Sequence, residues 1–374
     1  MTALGLLTAA GWLAATAMLA AGLRRIPRLR PRGSAPAVTA AVVVAARNEE
    51  AHVEAAMRTL LAQRHAGLRI VAVDDRSTDR TGAILDRLAA TDGRLEVVHV
   101  RELSAAWLGK NHALHVGARA ARADFLVFAD ADVRLHPDAV ATALDHALRG
   151  ALDHLALFPR MRSPGAVLSA AVGVFTVLFA LRFRPWLAGD PGSRAHVGVG
   201  AFNLVRTEAY RSVGGHQRIA LRPDDDLRLG RILKEAGFSS GAAYGDSLAE
   251  VEWYGSVPEL IRGLRKNAFA AVDYRPWLVA LVVASLFAFH VWPFVAVVLL
   301  SGLDRVLFGL AAALAVAAFT ASARRFGLRA WTAALYPLGA AIIGYAIAAA
   351  TVRALVTGGV EWRGTVYPLD RLRG

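Results

Sequence analysis

The stretch Phe125-Leu126-Val127-Phe128-Ala129-Asp130-Ala131-Asp132 is an apolar run that ends in two carboxylates one residue apart. Read as a strand, its side chains alternate faces. Asp130 and Asp132 then point the same way, about 6.6 Å apart along the chain, and can converge on one ion. Uncompensated at about 4 Å, such a pair repels by roughly 4 kcal/mol at an effective dielectric near 20. A hard divalent cation removes that cost. Oxygen ligands in a chain with no cysteine suit Mg²⁺ or Mn²⁺, which keeps coordination positions open for diphosphate oxygens. A loop or helix cap is the plain alternative for an Asp-x-Asp, and the apolar strand ahead of it favours the metal.

Upstream, apolar runs alternate with helical patterns: residues 38–46, a helix from Glu49, residues 69–73, a helix from Thr78, residues 95–100, a helix from Lys110, and residues 124–129. Strands interleaved with helices predict parallel βαβ units, whose ligands bind beyond the carboxyl ends of the strands. The first strand runs into Arg47-Asn48-Glu49-Glu50, which ordinary capping by Asn48 explains without a ligand. The second runs into Asp74-Asp75-Arg76-Ser77-Thr78-Asp79, where Ser77 or Thr78 can cap the next helix. Asp74 and Asp75 repel each other unless they accept hydrogen bonds, which a nucleobase imide and ribose hydroxyls would donate.

Trp107-Leu108-Gly109-Lys110-Asn111 sets a glycine and a lysine at a helix start. Gly109 lets a phosphate approach the backbone, Lys110 supplies a point charge, and the helix N-terminus adds its dipole. The spacing is not that of a P-loop. Gly198-Val199-Gly200-Ala201-Phe202-Asn203 lacks the third glycine of a dinucleotide fingerprint and reads as a flexible loop near an acceptor. Asp224-Asp225-Asp226 opens a further helix; one acid suffices for a cap, which leaves Asp226 to take a proton from a hydroxyl.

The 374 residues are 55% hydrophobic and 20% charged, with a formal net charge of +13, which excludes a disordered chain. The absence of cysteine excludes a disulfide framework and a thiolate zinc site. The mean hydropathy of +0.40 is high because the apolar residues gather into spans. Residues 2–23 carry no charge and can cross a core of roughly 30 Å; Arg24, Arg25, Arg28, Arg30 and Arg32 follow them. This predicts an uncleaved anchor, with the next domain held in the cytoplasm by the positive-inside rule. Apolar runs near 277–300, 306–321 and 331–352 predict about three more spans. By parity the tail after Arg353 then falls outside, unless one run is re-entrant. Residues 165–183 are also apolar, but candidate aspartates flank them, and a single crossing would part these by a bilayer. An interfacial helix ending at Arg182 and Arg184 is expected there, with a buried core helix as the alternative. The expected organisation is an anchor at 1–23, a cytoplasmic domain at 24–275, and membrane helices with a tail at 276–374. The basic residues are not grouped around stacking aromatics, so nucleic acid is not an expected partner; attraction to anionic lipid explains the juxtamembrane arginines.

Taken in order, Arg47-Asn-Glu-Glu, Asp74-Asp75-x-Ser77-x-Asp79, Gly109-Lys110, Asp130-Ala-Asp132, the segment from Gly200 to Gly215 and Asp225-Asp226-x-x-Leu229 resemble glycosyltransferase family 2. The resemblance implies an α/β fold of the nucleotide-diphospho-sugar transferase (glycosyltransferase A-type) class and transfer with inversion at the sugar. It implies that Glu49 and Asp74 contact a uridine, and that Arg47, Asp75, Gly109, Lys110 and Asp130 belong to the donor site. Asp130 and Asp132 would hold the diphosphate through Mg²⁺ or Mn²⁺. Asp226 stands where the family's Glu-Asp motif places its base; Asp225 replaces the glutamate, so both neighbours are candidates. Processive membrane members carry Gln-x-x-Arg-Trp, where this chain has Glu259-Leu-Ile-Arg262-Gly, unlike a cellulose or hyaluronan synthase. Trp107-x-Gly-Lys-Asn, Lys266-Asn267 and Trp362-Arg363-Gly364-x-x-Tyr367 look like the branch of hydroxychlorobactene glucosyltransferase and other carotenoid or hopanoid glycosyltransferases. The implied reaction moves a hexose, glucose foremost, from a nucleotide-diphospho-sugar to a membrane lipid hydroxyl at the cell membrane. A polyprenyl-phosphate sugar synthase and a polysaccharide synthase are the competing readings.

Overall fold

A parallel strand covered on both faces requires an unbroken apolar run. After an N-terminal helix α1 (Thr2–Arg25), the computed structural model places such a run, Ala-Ala-Val-Val-Val-Ala-Ala, in β1 (Ala40–Ala46). The structure describes residues 1–33, 36–362 and 365–372. α2 (Val53–Leu61), β2 (Leu68–Asp75), α3 (Thr81–Ala89), β3 (Leu95–Val100), α4 (Gly109–Ala120) and β4 (Phe125–Asp130) follow as crossover units. β1 pairs in parallel with β2 and β4, and β2 with β3.

The rest of the sheet is mixed, with antiparallel pairings. β5 (Arg134–Leu135), α5 (Ala139–Arg149) and β6 (His154–Arg162) precede helix α6 (Ala166–Phe183). β7 (Asn203–Arg206), α7 (Thr207–Ser212), α8 (Asp225–Glu235) and β8 (Ser240–Glu252) come after it. The strand order is β3-β2-β1-β4-β7-β6-β8-β5, with β7 antiparallel to both β4 and β6. In register, Ala46 lies opposite Asp74 and Ala45 opposite Asp130. Three neighbouring strands therefore deliver Arg47, Asp74 and Asp130 to one edge. α4 seats directly on β1 and β2 because Gly117 has no side chain: a Cβ there would stand 2.5 Å from Val43 Cγ1.

By packing, the chain divides into a sheet unit (Ile26–Met161 and Pro185–Glu252) and a helical unit (Met1–Arg25, Arg162–Arg184 and Trp253–Gly374). Besides α1 and α6, the helical unit contains α9 (Val257–Ala268), α10 (Pro276–Leu286), α11 (Trp292–Leu299), α12 (Gly302–Arg325) and α13 (Tyr336–Thr357). A π turn at Phe287–Val291 joins α10 to α11. Among the described residues, five helices are long and apolar enough to cross a membrane: Thr2–Arg25, Ala166–Leu187, Pro276–Leu299, Gly302–Arg325 and Ala330–Thr357. Four coincide with the anchor and the three runs expected from the sequence. Apolar side chains such as Val298 and Val356 stay 75% and 80% exposed on this unit, as a lipid-facing surface allows.

The fifth contains α6. It is apolar on every face, where a helix lying in an interface carries a polar one. It packs against α12 and α13. Gly173 meets the Phe319 ring, Gly339 meets the Ala170 backbone, and buried Thr176 bonds Ser322 at 2.9 Å. Packing thus groups α6 with the other long apolar helices, whereas the linear pattern placed residues 165–183 inside the segment 24–275. Both flanks of α6 enter the same sheet, through β6 and β7. Lys234 Nζ bonds the carbonyls of Ala188 and Asp190 at 2.7 Å, so the chain is back at the sheet within a few residues of the helix end. The segments before and after α6 thus belong to one sheet. Arg363, Gly364 and the side chains of Lys266, Asn267 and Trp362 lie outside the described residues.

Candidate active site

The loops after β1 and β2 bond to each other instead of capping their own helices. Asn48, at a φ of 54°, donates its backbone N–H to Ser77 Oγ at 3.1 Å, and its side-chain oxygen accepts from Thr78 N–H at 2.8 Å. Glu49 N–H donates to Thr81 Oγ1 at 2.8 Å. α2 and α3 consequently begin at Val53 and Thr81, later than the expected Glu49 and Thr78. Local capping by Asn48, Ser77 or Thr78, the explanation without a ligand, is not what forms.

Asp74 and Asp75 are 8% and 3% exposed, and each has protein donors. Asp75 takes the Arg76 guanidinium at 2.8 and 3.0 Å, with Arg47 at 4.0 Å. Asp74 Oδ1 accepts from Ser77 N–H at 3.2 Å, and its Oδ2 faces His99 Nδ1 at 3.0 Å. Neither Arg76 nor His99 stands out in the sequence, because each gains its partner only from the folded geometry. Gly109 starts α4 directly against Asp75; a Cβ on it would overlap that carboxylate.

β4 ends at Asp130 and Asp132 lies in the turn beyond, so the strand alternation expected to align the two carboxylates stops short of Asp132. They still act on each other. Burial first, then Asp130 and Glu49, push Asp132 up to about 7. Lys110 Nζ lies 2.8 Å from Asp130 Oδ1 and 3.4 Å from Asp225 Oδ2. Burial alone would lower its pKa, but Asp130, Asp225 and Asp226 outweigh that and hold Lys110 well above the ordinary lysine value.

All three acids opening α8 are engaged. Asp224 bonds Arg222 and Arg228 at 3.2 and 2.9 Å, and Asp225 faces Lys110. Asp226 accepts from Gly200 N–H and from Leu227 N–H, each at 2.8 Å. Burial, opposed by Lys110, raises Asp226 above the ordinary carboxylate value. The segment 198–203 is packed between these acids, not the flexible loop its glycines suggest. A Cβ on Gly198 would overlap the Asp226 carbonyl, one on Gly200 would stand 2.8 Å from Asp130 Oδ2, and Phe202 and Asn203 are buried. Asn111, fully buried beside Lys110, donates its amide to the carbonyls of Ile219, Ala220 and Arg222 at 2.7, 3.2 and 2.8 Å. It ties the start of α4 to the segment that leads into α8.

The candidates thus form two groups. Arg47, Glu49, Asp74 and Asp75 occupy the interlocked β1 and β2 loops, while Lys110 gathers Asp130, Asp225 and Asp226 around a small cavity that Gly200 and His216 also line. Gly109 against Asp75, and the charge of Glu49 on Asp132, link the two. Among the described residues no three His, Asp or Glu side chains form a complete metal-ligand set. Asp130 and Asp132 fit the sparser protein share of an octahedral Mg²⁺ or Mn²⁺, whose other positions go to water and phosphate. The raised Asp132 marks the excess negative charge that such an ion relieves.

Residues 41–213 match the model of Glycosyl transferase family 2. The chain is 24% identical over 249 residues to the 4,4'-diaponeurosporenoate glycosyltransferase of Staphylococcus haemolyticus, covering 65% of this chain and 64% of that one. It is 30% identical over 104 residues to TuaG of Bacillus subtilis, a glycosyltransferase assigned to teichuronic acid biosynthesis, covering 28% of this chain and 40% of that one. The chain therefore spans less than two thirds of the length of either relative. Among solved structures, a mannosyltransferase from Pyrobaculum calidifontis in complex with GDP-Man and Mn²⁺ superposes with a TM-score of 0.54 at 19% identity, over 95% of this chain and 98% of that one. That likeness is one of fold: the mixed sheet is of the glycosyltransferase A type, and residues 41–213 are similar to Glycosyl transferase family 2.

Proposed function

We propose that the chain is an inverting hexosyltransferase that moves glucose from a UDP-sugar to the hydroxyl of a membrane lipid such as a carotenoid or hopanoid. The observation that carries this reading is the meeting of Asp130, Asp225 and Asp226 around Lys110 at the strand ends of a sheet similar to family 2. The relative named for diaponeurosporenoate supports a greasy acceptor, as do the five long apolar helices. The mannosyltransferase solved with GDP-Man and Mn²⁺ supports a nucleotide-sugar donor and a divalent ion.

In this reading Arg47, Glu49, Asp74, Asp75 and Gly109 hold the nucleotide. Asp130 and Asp132 would hold Mg²⁺ or Mn²⁺, which supplies neutralisation of diphosphate charge when bound. Lys110 faces the same acids and adds a fixed positive charge beside the leaving group. Asp226 takes the hydroxyl proton as the acceptor oxygen bonds the anomeric carbon from the face opposite the diphosphate; the bond from that carbon to the phosphate oxygen breaks, and nucleoside diphosphate leaves. Asp225, 3.4 Å from Lys110 Nζ, is the other candidate for this role. The chain would sit in the cell membrane with its sheet unit in the cytoplasm, without a nucleic-acid partner.

The test is to incubate the purified chain and Mn²⁺ with labelled UDP-glucose and a total membrane lipid extract, then identify the labelled product by mass. A glycosylated neutral lipid is expected. Label on a polyprenyl phosphate, with Asp226→Asn fully active, would replace this reading with a polyprenyl-phosphate sugar synthase. Long polymers would indicate a polysaccharide synthase.

A further inference from the structure

His99 stands on β3 opposite Asp74 of β2 in the sheet register, and each ring nitrogen meets a carboxylate. Nδ1 lies 3.0 Å from Asp74 Oδ2, and Nε2 lies 3.0 Å from Asp86 Oδ1 on α3. A neutral imidazole has one N–H and one bare lone pair, so either tautomer would aim a lone pair at a carboxylate. Only the imidazolium donates to both. β3 is an edge strand, and β2 and α3 pack on it, contributing Asp74 and Asp86. The Asp74 bond first, then the Asp86 bond, raise the ring's pKa above the ordinary histidine value against the effect of burial. α3 is pressed onto the pair at Gly82, where a Cβ would stand 2.9 Å from Asp74 Oδ2 and 3.5 Å from His99 Cε1. Ser77 N–H holds the other Asp74 oxygen.

We propose that His99 is a positioning residue: clamped as an imidazolium between Asp74 and Asp86, it fixes the Asp74 carboxylate in the orientation that receives the donor's base. The proposal rests on the reading of Asp74 as a donor contact. Loss of the ring proton leaves Asp74 with a neutral donor at best and turns a lone pair on Asp86, so donor affinity falls. His99 touches no reacting atom. The effect therefore falls on the donor KM, while kcat at saturating donor holds.

The experiment measures donor KM and kcat from about pH 6 to pH 9, a range that begins near the ordinary histidine value. The ring itself is followed by NMR in detergent, as the imidazole signal missing from His99→Gln. KM should rise about fivefold as the signal titrates, the cost of exchanging a charge-assisted hydrogen bond for a neutral one. In His99→Gln the KM should sit at the higher level throughout, and in Asp86→Asn the rise should move to lower pH. A flat wild-type KM while the ring titrates, or a pH-dependent rise that persists in His99→Gln, overturns the clamp. Asp74→Asn separates the two levels of the reading. If it raises donor KM while the wild type stays flat, only the clamp fails; if it leaves donor KM unchanged, the donor-site reading fails and the clamp with it.

Discussion

Replacing Asp132 by Asn should stabilise the metal-free chain at neutral pH while abolishing metal-dependent transfer. In the fold, burial, Asp130 and Glu49 push the Asp132 carboxyl up to about 7, against 3.8 for a free side chain. An acid whose folded pKa is raised holds its proton more tightly in the folded state than in the unfolded one. The resulting folding penalty is absent below about pH 4, grows through the interval between the two values, and is complete above about pH 7. At about 1.36 kcal/mol per pH unit its ceiling is near 4 kcal/mol, and sharing of the proton among coupled acids brings the expected value to roughly 2–3 kcal/mol. Asparagine cannot ionise and escapes the penalty. At about 2–4 °C per kcal/mol for a domain of about 200 residues, the variant's Tm should exceed the wild type's by roughly 5–10 °C at pH 8 and meet it at pH 4. Tryptophan fluorescence of the chain in detergent and EDTA, melted across this pH range, reads the difference. Mn²⁺ should close the gap at pH 8 by stabilising the wild type alone. A variant melting at or below the wild type at pH 8, or a gap that survives acidification, would refute the charge argument at Asp132.

Asp226→Asn should lower kcat by about 10²–10⁴ with donor KM nearly unchanged, because a general base acts on the acceptor; steady-state rates with both substrates varied check this. Asn111→Ala strips the amide from three buried carbonyls and should cost about 1–3 kcal/mol, read by chemical denaturation, with a loss of kcat as the segment before Asp225 drifts. Gly198→Ala forces a methyl into the Asp226 carbonyl and should cost about 1–3 kcal/mol, with transfer activity falling at temperatures where the chain is still folded.

The parallel half of the sheet was legible because its strands are rich in apolar and β-branched residues. The runs are unbroken in β1 and up to Asp130 in β4, and interrupted by Arg69 in β2 and by Glu96 and His99 in β3. Residues 38–46, 69–73, 95–100 and 124–129 became β1 to β4 with shifts of two residues or fewer. β5 and β7, of two and four residues, are too short to leave a period in the sequence, and their pairing depends on distant partners. The acids were legible for a related reason: strand ends and helix starts are positions that local sequence marks. What local sequence could not show is who neutralises them. Arg76 turns back on Asp75 through a left-handed backbone at φ 56°, and His99 meets Asp74 through sheet register. The late starts of α2 and α3 were hidden in the same way, since bonds between two loops replaced the caps that each helix carries in its own sequence.

β7 lies between β4 and β6 in the sheet, yet it is made after α6. During synthesis an apolar helix of span length leaves the ribosome while the parallel half and β6 still lack the strand that joins them. If the membrane machinery treated α6 as a crossing, β7 and the acids of α8 would be translated onto the far side, away from Asp130 and Lys110. Such a chain could not assemble its sheet, because β4 would lack its β7 partner. Closing the sheet therefore requires the chain before and after α6 to share one compartment.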